Sequence, residues 1–160
     1  MNLIHLVSEQ ILQNLLPLLA LRPTNVIQIR SADPRFAKAA QSLKNAVGAL
    51  ARTPRYRGFA PEFFGEVINE TSRSLDATRR KVGGALALWP GAVVNLTGGT
   101  KLMSIGAWMA AEYQHEPVLC CDTQERRFVL EGKGQPRPSR RIRPPSQATA
   151  TGSAAPWRTT

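Results

Sequence analysis

The sequence predicts an α/β fold, a mostly parallel sheet of about five to six strands flanked by helices. Three observations carry this. Short apolar runs rich in β-branched residues recur at 2–7, 25–30 and 92–96. Longer stretches with apolar residues at helical spacing separate them. Alternation of the two patterns calls for parallel pairing through right-handed crossovers.

The elements follow in order. Residues 2–7 read as a buried strand. Ser8 then stands where a helix N-cap would, with Glu9 in the positive first turn. Ile11, Leu12, Leu15, Leu16, Leu19 and Leu21 give that helix a broad apolar face, and Pro17 inside it predicts a kink or a late start. Arg22-Pro23 ends it. Residues 25–30 form the second strand. Asp33-Pro34 reads as an N-cap followed by proline at the first helical position, and the helix runs to about residue 52 with Phe36, Ala40, Leu43, Val47 and Leu50 at helical spacing. A third strand belongs within 54–68, where Pro54, Gly58, Pro61 and Gly65 blur its place. Thr71 or Ser72 is the expected start of the next helix, with Leu75, Thr78, Val82 and Leu86 on one face. Residues 92–96 form the fourth strand, Thr97-Gly98-Gly99-Thr100-Lys101 its turn, and a helix with Met103, Ala107, Ala110 and Ala111 on a narrow face follows to about His115. A fifth strand at 117–121, a turn at Asp122-Thr123-Gln124-Glu125 and a sixth strand at 127–131 complete the domain, 1–131.

Composition narrows the function classes. The formal net charge is +10. Residues 132–160 hold Lys133, Arg137, Arg140, Arg141, Arg143 and Arg158 and no acid; removing these six leaves 15 Lys+Arg against 11 Asp+Glu in the remainder. The folded part is mildly basic, which suits an anionic ligand. The tail is Pro, Ser, Ala, Thr, Gly and Arg and cannot bury a core, so it is expected to be disordered. Adjacent Cys120 and Cys121 cannot pair with each other on a strand and read as buried, reduced thiols of a cytosolic protein. Without a CxxC or clustered histidines no metal site is expected. His5 reads as an incidental strand histidine and His115 as a surface residue at a helix end. The N-terminus has no basic n-region, and Glu9 interrupts the apolar stretch 3–21, so neither a signal peptide nor a membrane span is expected, and the location is cytoplasmic.

In an open parallel sheet, ligands bind outside the carboxyl ends of the strands where the strand order reverses. With order 3-2-1-4-5 the reversal falls between strands one and four. Two loops then matter: Ser8-Glu9-Gln10 and Thr97-Gly98-Gly99-Thr100-Lys101. Gly98 and Gly99 let backbone approach a ligand closely, the helix behind them offers free N–H groups, Thr97 and Thr100 add hydroxyls, and Lys101 adds a charge. A cation in the first helical turn costs the bare helix stability and is better understood beside an anion. Arg30, Ser31 and Asp33 are candidates for the rim. Arg79, Arg80 and Lys81 read as a solvated helix face. No nucleophile–base pair or carboxylate pair is evident.

The string Asn95-Leu96-Thr97-Gly98-Gly99-Thr100-Lys101-Leu102-Met103-Ser104 after an apolar strand strongly resembles the signature turn of CARF (CRISPR-associated Rossmann fold) domains, in particular those fused to PD-(D/E)xK-type nucleases. Leu6-Val7-Ser8-Glu9-Gln10 with Asn14 and Pro17 looks like the first strand and helix of the same family. The resemblance covers about residues 1–131. It implies a Rossmann-like fold and a homodimeric sensor of cyclic oligoadenylate, cyclic tetra-adenylate above all, in type III CRISPR antiviral signalling. A ring lying across a two-fold axis meets the same loops from each protomer. It implies ligand contacts by Ser8, Glu9, Gln10, Thr97, Gly98, Gly99, Thr100 and Lys101, and no cofactor. Residues 132–160 contain no acid, so a PD-(D/E)xK centre cannot reside there. The expectation is a sensor without its own effector, either alone, beside a separate effector, or as a truncated or frame-shifted relic.

Two other functions stay open. One is a metal-independent ring nuclease, in which Lys101 stabilises the phosphorane charge and Ser8 or Thr100 orients the ribose. The other is a Rossmann-like domain for a nucleotide cofactor. Its difficulty is a first turn without glycine, too bulky for a pyrophosphate to approach.

Overall fold

Strand β1 (Asn2–Leu6) alternates its side chains between two hydrophobic layers: Leu3 faces one and Ile4 and Leu6 face the other, all fully buried. Burial on both faces explains the continuous apolar run and requires helices above and below the sheet. The computed structural model describes residues 1–68, 74–122 and 127–132.

The remaining elements are α1 (Ile11–Leu21), β2 (Asn25–Ser31), α2 (Pro34–Leu50), β3 (Glu62–Ile68), α3 (Leu75–Leu88), β4 (Val93–Asn95), α4 (Lys101–Tyr113), β5 (Val118–Asp122) and β6 (Arg127–Glu131), with a short 3₁₀ turn at Pro54–Tyr56. The six strands lie in the order β3-β2-β1-β4-β5-β6. All neighbours pair in parallel except β5 and β6, which are antiparallel. This is a six-stranded, mostly parallel Rossmann-like sheet, with α1 and α2 on one face and α3 and α4 on the other. The order reverses between β1 and β4, so the loops after these two strands are neighbours at one rim of the sheet.

Several elements are built as their residues dictate. Asp33 caps α2 by accepting from the Arg35 amide at 2.9 Å, with Pro34 behind it. Arg22 closes α1 in the left-handed region, φ 47°. Pro17 does not end α1, which runs on to Leu21. The N–H that proline lacks would have bonded the carbonyl of Gln13, and the Asn95 side chain on β4 takes that carbonyl instead, at 3.3 Å.

Other expectations need correction. Ser8 is not the cap of α1. Gln10 occupies that position and no side chain caps it, while the Ser8 hydroxyl accepts from the Gln10 amide at 3.2 Å and closes a turn two residues too early for the helix. Glu9 therefore lies before the first helical turn. Thr71 and Ser72, expected to start α3, lie outside the described residues; α3 begins at Leu75, capped by Ser74 through the Ala77 amide at 3.2 Å. The cysteines are free but not buried: Cys120 is exposed and Cys121 half-buried. Cys120 is on the face opposite Leu119. His5 is no incidental residue; it is fully buried and hydrogen-bonded. The turn residues 123–126 and the tail 133–160 lie outside the described residues. Among the described residues no helix is long and apolar enough to cross a membrane.

Candidate functional site

The double glycine decides how closely the two rim loops meet. Gly98 is buried against the end of β1: a Cβ at this position would overlap the Leu6 carbonyl oxygen and lie 3.3 Å from Asn14 Nδ2. Gly99 takes φ +76°, in the left-handed region that favours glycine, and a Cβ there would meet the Leu6 side chain at 3.1 Å. The Thr97–Lys101 segment therefore lies directly on the loop after β1.

The loop also has its carbonyls turned inward. Ser104, one turn into α4, brings its hydroxyl within 3.1 Å of the Leu96 carbonyl and 3.2 Å of those of Gly98 and Thr100. The Gly98 and Gly99 amides have no acceptor among the described residues. Thr100 caps α4, accepting from the Met103 amide at 3.3 Å. Lys101 is the first residue of α4, exposed, with no ion-pair partner among the described residues. The result is a turn that combines two amides without an acceptor, the positive end of α4 and one ammonium group without an ion pair among the described residues. Thr97 is committed to the fold: its hydroxyl donates to Asn95 Oδ1 at 2.7 Å and accepts from the Cys121 amide at 2.8 Å.

Across from it, Ser8 and Gln10 stand at the uncapped start of α1, and Gln10 Oε1 accepts from Gln13 at 2.8 Å. Glu9 is exposed and pairs with Arg35 at 3.1 Å, and Arg35 also grips Asp33 at 2.8 Å. The Arg35 guanidinium, through hydrogen bonds from its side chain and its amide, holds the Asp33 carboxyl below the usual carboxylate range. Glu9, Arg35, Lys38 and Ser42 line a shallow cavity of about 260 Å³ beside the loop. Of the expected rim residues, Ser31 is buried and holds the Asp33 amide at 3.1 Å. Arg79 and Arg80 pair with Asp76, and Lys81 reaches Glu66 at 2.7 Å, so this basic run is a salt-bridged surface of α3.

Beneath the two loops sits a polar cluster that the sequence did not reveal. His5 Nδ1 is 3.2 Å from Asn14 Nδ2 and 2.9 Å from Asn95 Nδ2. Asn14 Oδ1 accepts from the Ser8 amide at 3.1 Å, and Asn95 Oδ1 accepts from the Thr97 amide at 3.1 Å. Each asparagine thus holds one loop. Burial pushes the His5 pKa from 6.5 down to about 3. The unfolded chain therefore binds a proton near pH 6.5 that the folded chain refuses until about pH 3. The stability this provides is complete above pH 6.5 and is lost as pH falls toward 3. We expect denaturant unfolding to show up to about 1.4 kcal/mol lost per pH unit across that window from this group. The loss should be absent from the His5→Gln variant.

Comparison with known proteins follows this geometry. Can2 from Sulfobacillus thermosulfidooxidans, solved in complex with cyclic tetra-adenylate, aligns with a TM-score of 0.68 at 23% identity, over 84% of this chain and 37% of that one. Protein VC1899 from Vibrio cholerae gives 0.61 at 14% identity, over 81% and 32%. A type III CRISPR defence DNA nuclease activated by cyclic oligoadenylate gives 0.58 at 19% identity, over 85% and 22%. These likenesses establish the fold, and the chain spans well under half the length of each solved chain. Comparison with curated proteins gives no match. Residues 2–130 match the family model of the Card1 CARF domain, and the chain accordingly belongs to that CARF family.

Proposed function

We propose that this domain binds cyclic tetra-adenylate as a homodimeric sensor, holding the ring against the loops after β1 and β4. The observation that carries the reading is the turn at Gly98 and Gly99: unpartnered amides, inward carbonyls and the unpaired Lys101, seated on the β1 loop where the sheet order reverses. Such a turn suits phosphate oxygens. The CARF match and the bound ring in Can2 support the choice of ligand.

The eight residues divide the work by chemistry. The Gly98 and Gly99 amides and Lys101 meet phosphate. Thr100 and Ser8 offer hydroxyls. Glu9 repels phosphate, so it and Gln10 face ribose hydroxyls or base edges. Thr97 fixes the turn and contacts ligand least. Titration of the full chain with cyclic tetra-adenylate in a calorimeter tests this, with one ring per two chains expected. Absence of heat from folded protein would contradict it.

The dimer reading draws on α4, which leads away from Lys101. Leu102, Ile105 and Trp108 are 42%, 46% and 43% exposed along it, and Tyr113 is 86% exposed. An apolar stripe of this kind on one helix marks an interface. It borders a groove of about 730 Å³ lined by Arg79, Gly83, Trp108, Glu112 and Tyr113. Trp108→Glu should weaken dimerisation by about 2 kcal/mol, roughly 30-fold, the scale of a buried interface tryptophan. Light scattering across a dilution series measures it. Unchanged association would place the two-fold axis elsewhere.

Ring cleavage is a separate outcome of the same site. Lys101 can stabilise charge on phosphorus, yet among the described residues no His, Asp or Glu is bonded to the Ser8 or Thr100 hydroxyl to serve as base. We expect chromatography after long incubation to return intact ring.

A further inference from the structure

The two asparagines beneath the loops can each take only one orientation. Asn14 Oδ1 accepts from the Ser8 amide at 3.1 Å while its Nδ2 donates to the Leu6 carbonyl at 3.0 Å. Turning the amide over would oppose donor to donor and acceptor to acceptor. Asn95 is fixed likewise: Oδ1 accepts from the Thr97 amide and hydroxyl, and Nδ2 reaches the Gln13 carbonyl at 3.3 Å. Both remaining N–H groups then point at one atom, His5 Nδ1. Two donors aimed at that atom call for a lone pair on it, which puts the ring proton on Nε2, a buried nitrogen with no hydrogen-bond partner among the described residues. Asn14 follows His5 by nine residues and Asn95 by 90, and they serve different loops.

We propose that His5 is a positioning residue that couples the two loops: its Nδ1 lone pair aligns Asn14 and Asn95 together, so that a change at Asn95 on the β4 side is felt by the hold of Asn14 on Ser8. A proton on Nδ1 would face two N–H groups, and both asparagines would lose their acceptor at once. For its ligand readout only, the coupling rests on the cyclic tetra-adenylate reading. The coupling itself is a property of the unliganded chain.

The test uses Asn95→Asp in the full chain. The carboxylate still accepts from Thr97, so the β4 loop keeps its direct bond, but nothing on it can donate to His5. The ring proton is then drawn to Nδ1, and Asn14 loses its acceptor on the far side. We expect the Ser8 amide to exchange with solvent about 10-fold faster, the scale of one lost hydrogen bond. The Val7 amide, bonded to the Ile29 carbonyl at 2.9 Å and outside the cluster, serves as the control and should change little. Equal acceleration of Ser8 and Val7, or none at Ser8, overturns the proposal. Should the variant not fold, ¹⁵N NMR of the His5 ring in the unaltered protein decides. A bare Nδ1 and protonated Nε2, unchanged from pH 7 to pH 5, are expected; a proton on Nδ1 overturns the proposal. Cyclic tetra-adenylate should bind the variant about 10-fold more weakly, by the same loss. If Ser8 and Val7 separate as expected while the unaltered protein takes up no ring, the coupling stands and the ligand assignment fails.

Discussion

Gly98→Ala should abolish ligand binding and cost the fold about 3 kcal/mol, the upper end of what overpacking a tight site does. The new methyl group has nowhere to go. It would overlap the Leu6 carbonyl, which is backbone of β1 and cannot swing aside as a side chain would. Either β1 and the β4 loop separate, or the turn leaves its place. Both outcomes disturb the Asn14–Leu6 hydrogen bond, and with it the hold on Ser8. Gly99→Ala makes a useful contrast. Its left-handed φ costs alanine about 1 kcal/mol, but the nearest atoms, Cβ of Leu6 at 3.1 Å and Cβ of Met103 at 3.3 Å, need give way by only a few tenths of an ångström. Urea unfolding of the two variants should therefore rank Gly98→Ala well below Gly99→Ala. Equal midpoints would mean that the packing of this turn on β1 has been misjudged.

Lys101→Ala should leave the fold intact and weaken binding of cyclic tetra-adenylate severely. The side chain is exposed at the first position of α4 and has no ion pair to lose among the described residues. Removing a cation from the positive end of a helix is neutral or slightly favourable for stability. One charge-assisted contact to phosphate contributes about 1.5–3 kcal/mol. A two-fold dimer presents the residue twice, so the loss per ring is about 3–6 kcal/mol, roughly a hundredfold or more. Calorimetry and thermal unfolding on the same sample separate the two effects. An affinity unchanged by the substitution would remove Lys101 from the phosphate contacts.

Much of the architecture was legible in the residues themselves. Strands buried on both faces read as unbroken β-branched runs, which located β1, β2 and β4. Asp33-Pro34 announced the start of α2, and the alternation of elements implied the order that places Gly98 beside Ser8. β3 was harder, because Glu62, Phe64 and Gly65 are exposed and the alternation signal weakens at the sheet edge. Ser8 misled because a serine three residues before a helix closes a local turn through the same hydroxyl that would serve as a cap. The cysteines misled because an apolar strand pattern near the edge of the sheet did not mean burial: Cys121 packs only partly against the core and Cys120 is exposed.

Within the site, the glycines and Lys101 stood out because few other residue types allow a close backbone approach or place a cation at a helix start. His5 did not. Its partners Asn14 and Asn95 come from a different helix and a different strand, and only the parallel pairing of β1 with β4 brings Asn95 alongside it. Pro17 was read as a fault in α1, but the carbonyl it frees is an acceptor for Asn95. Polar networks assembled by sheet topology leave no local pattern along the chain.

A crystal structure of the full chain with cyclic tetra-adenylate tests the central claim most directly. It should place a ring phosphate within hydrogen-bond distance of the Gly98 or Gly99 amide and of Lys101 Nζ, in two protomers related by a two-fold axis through the ring. A ring bound elsewhere on the domain, or a Gly98–Gly99 turn facing away from it, would contradict the claim.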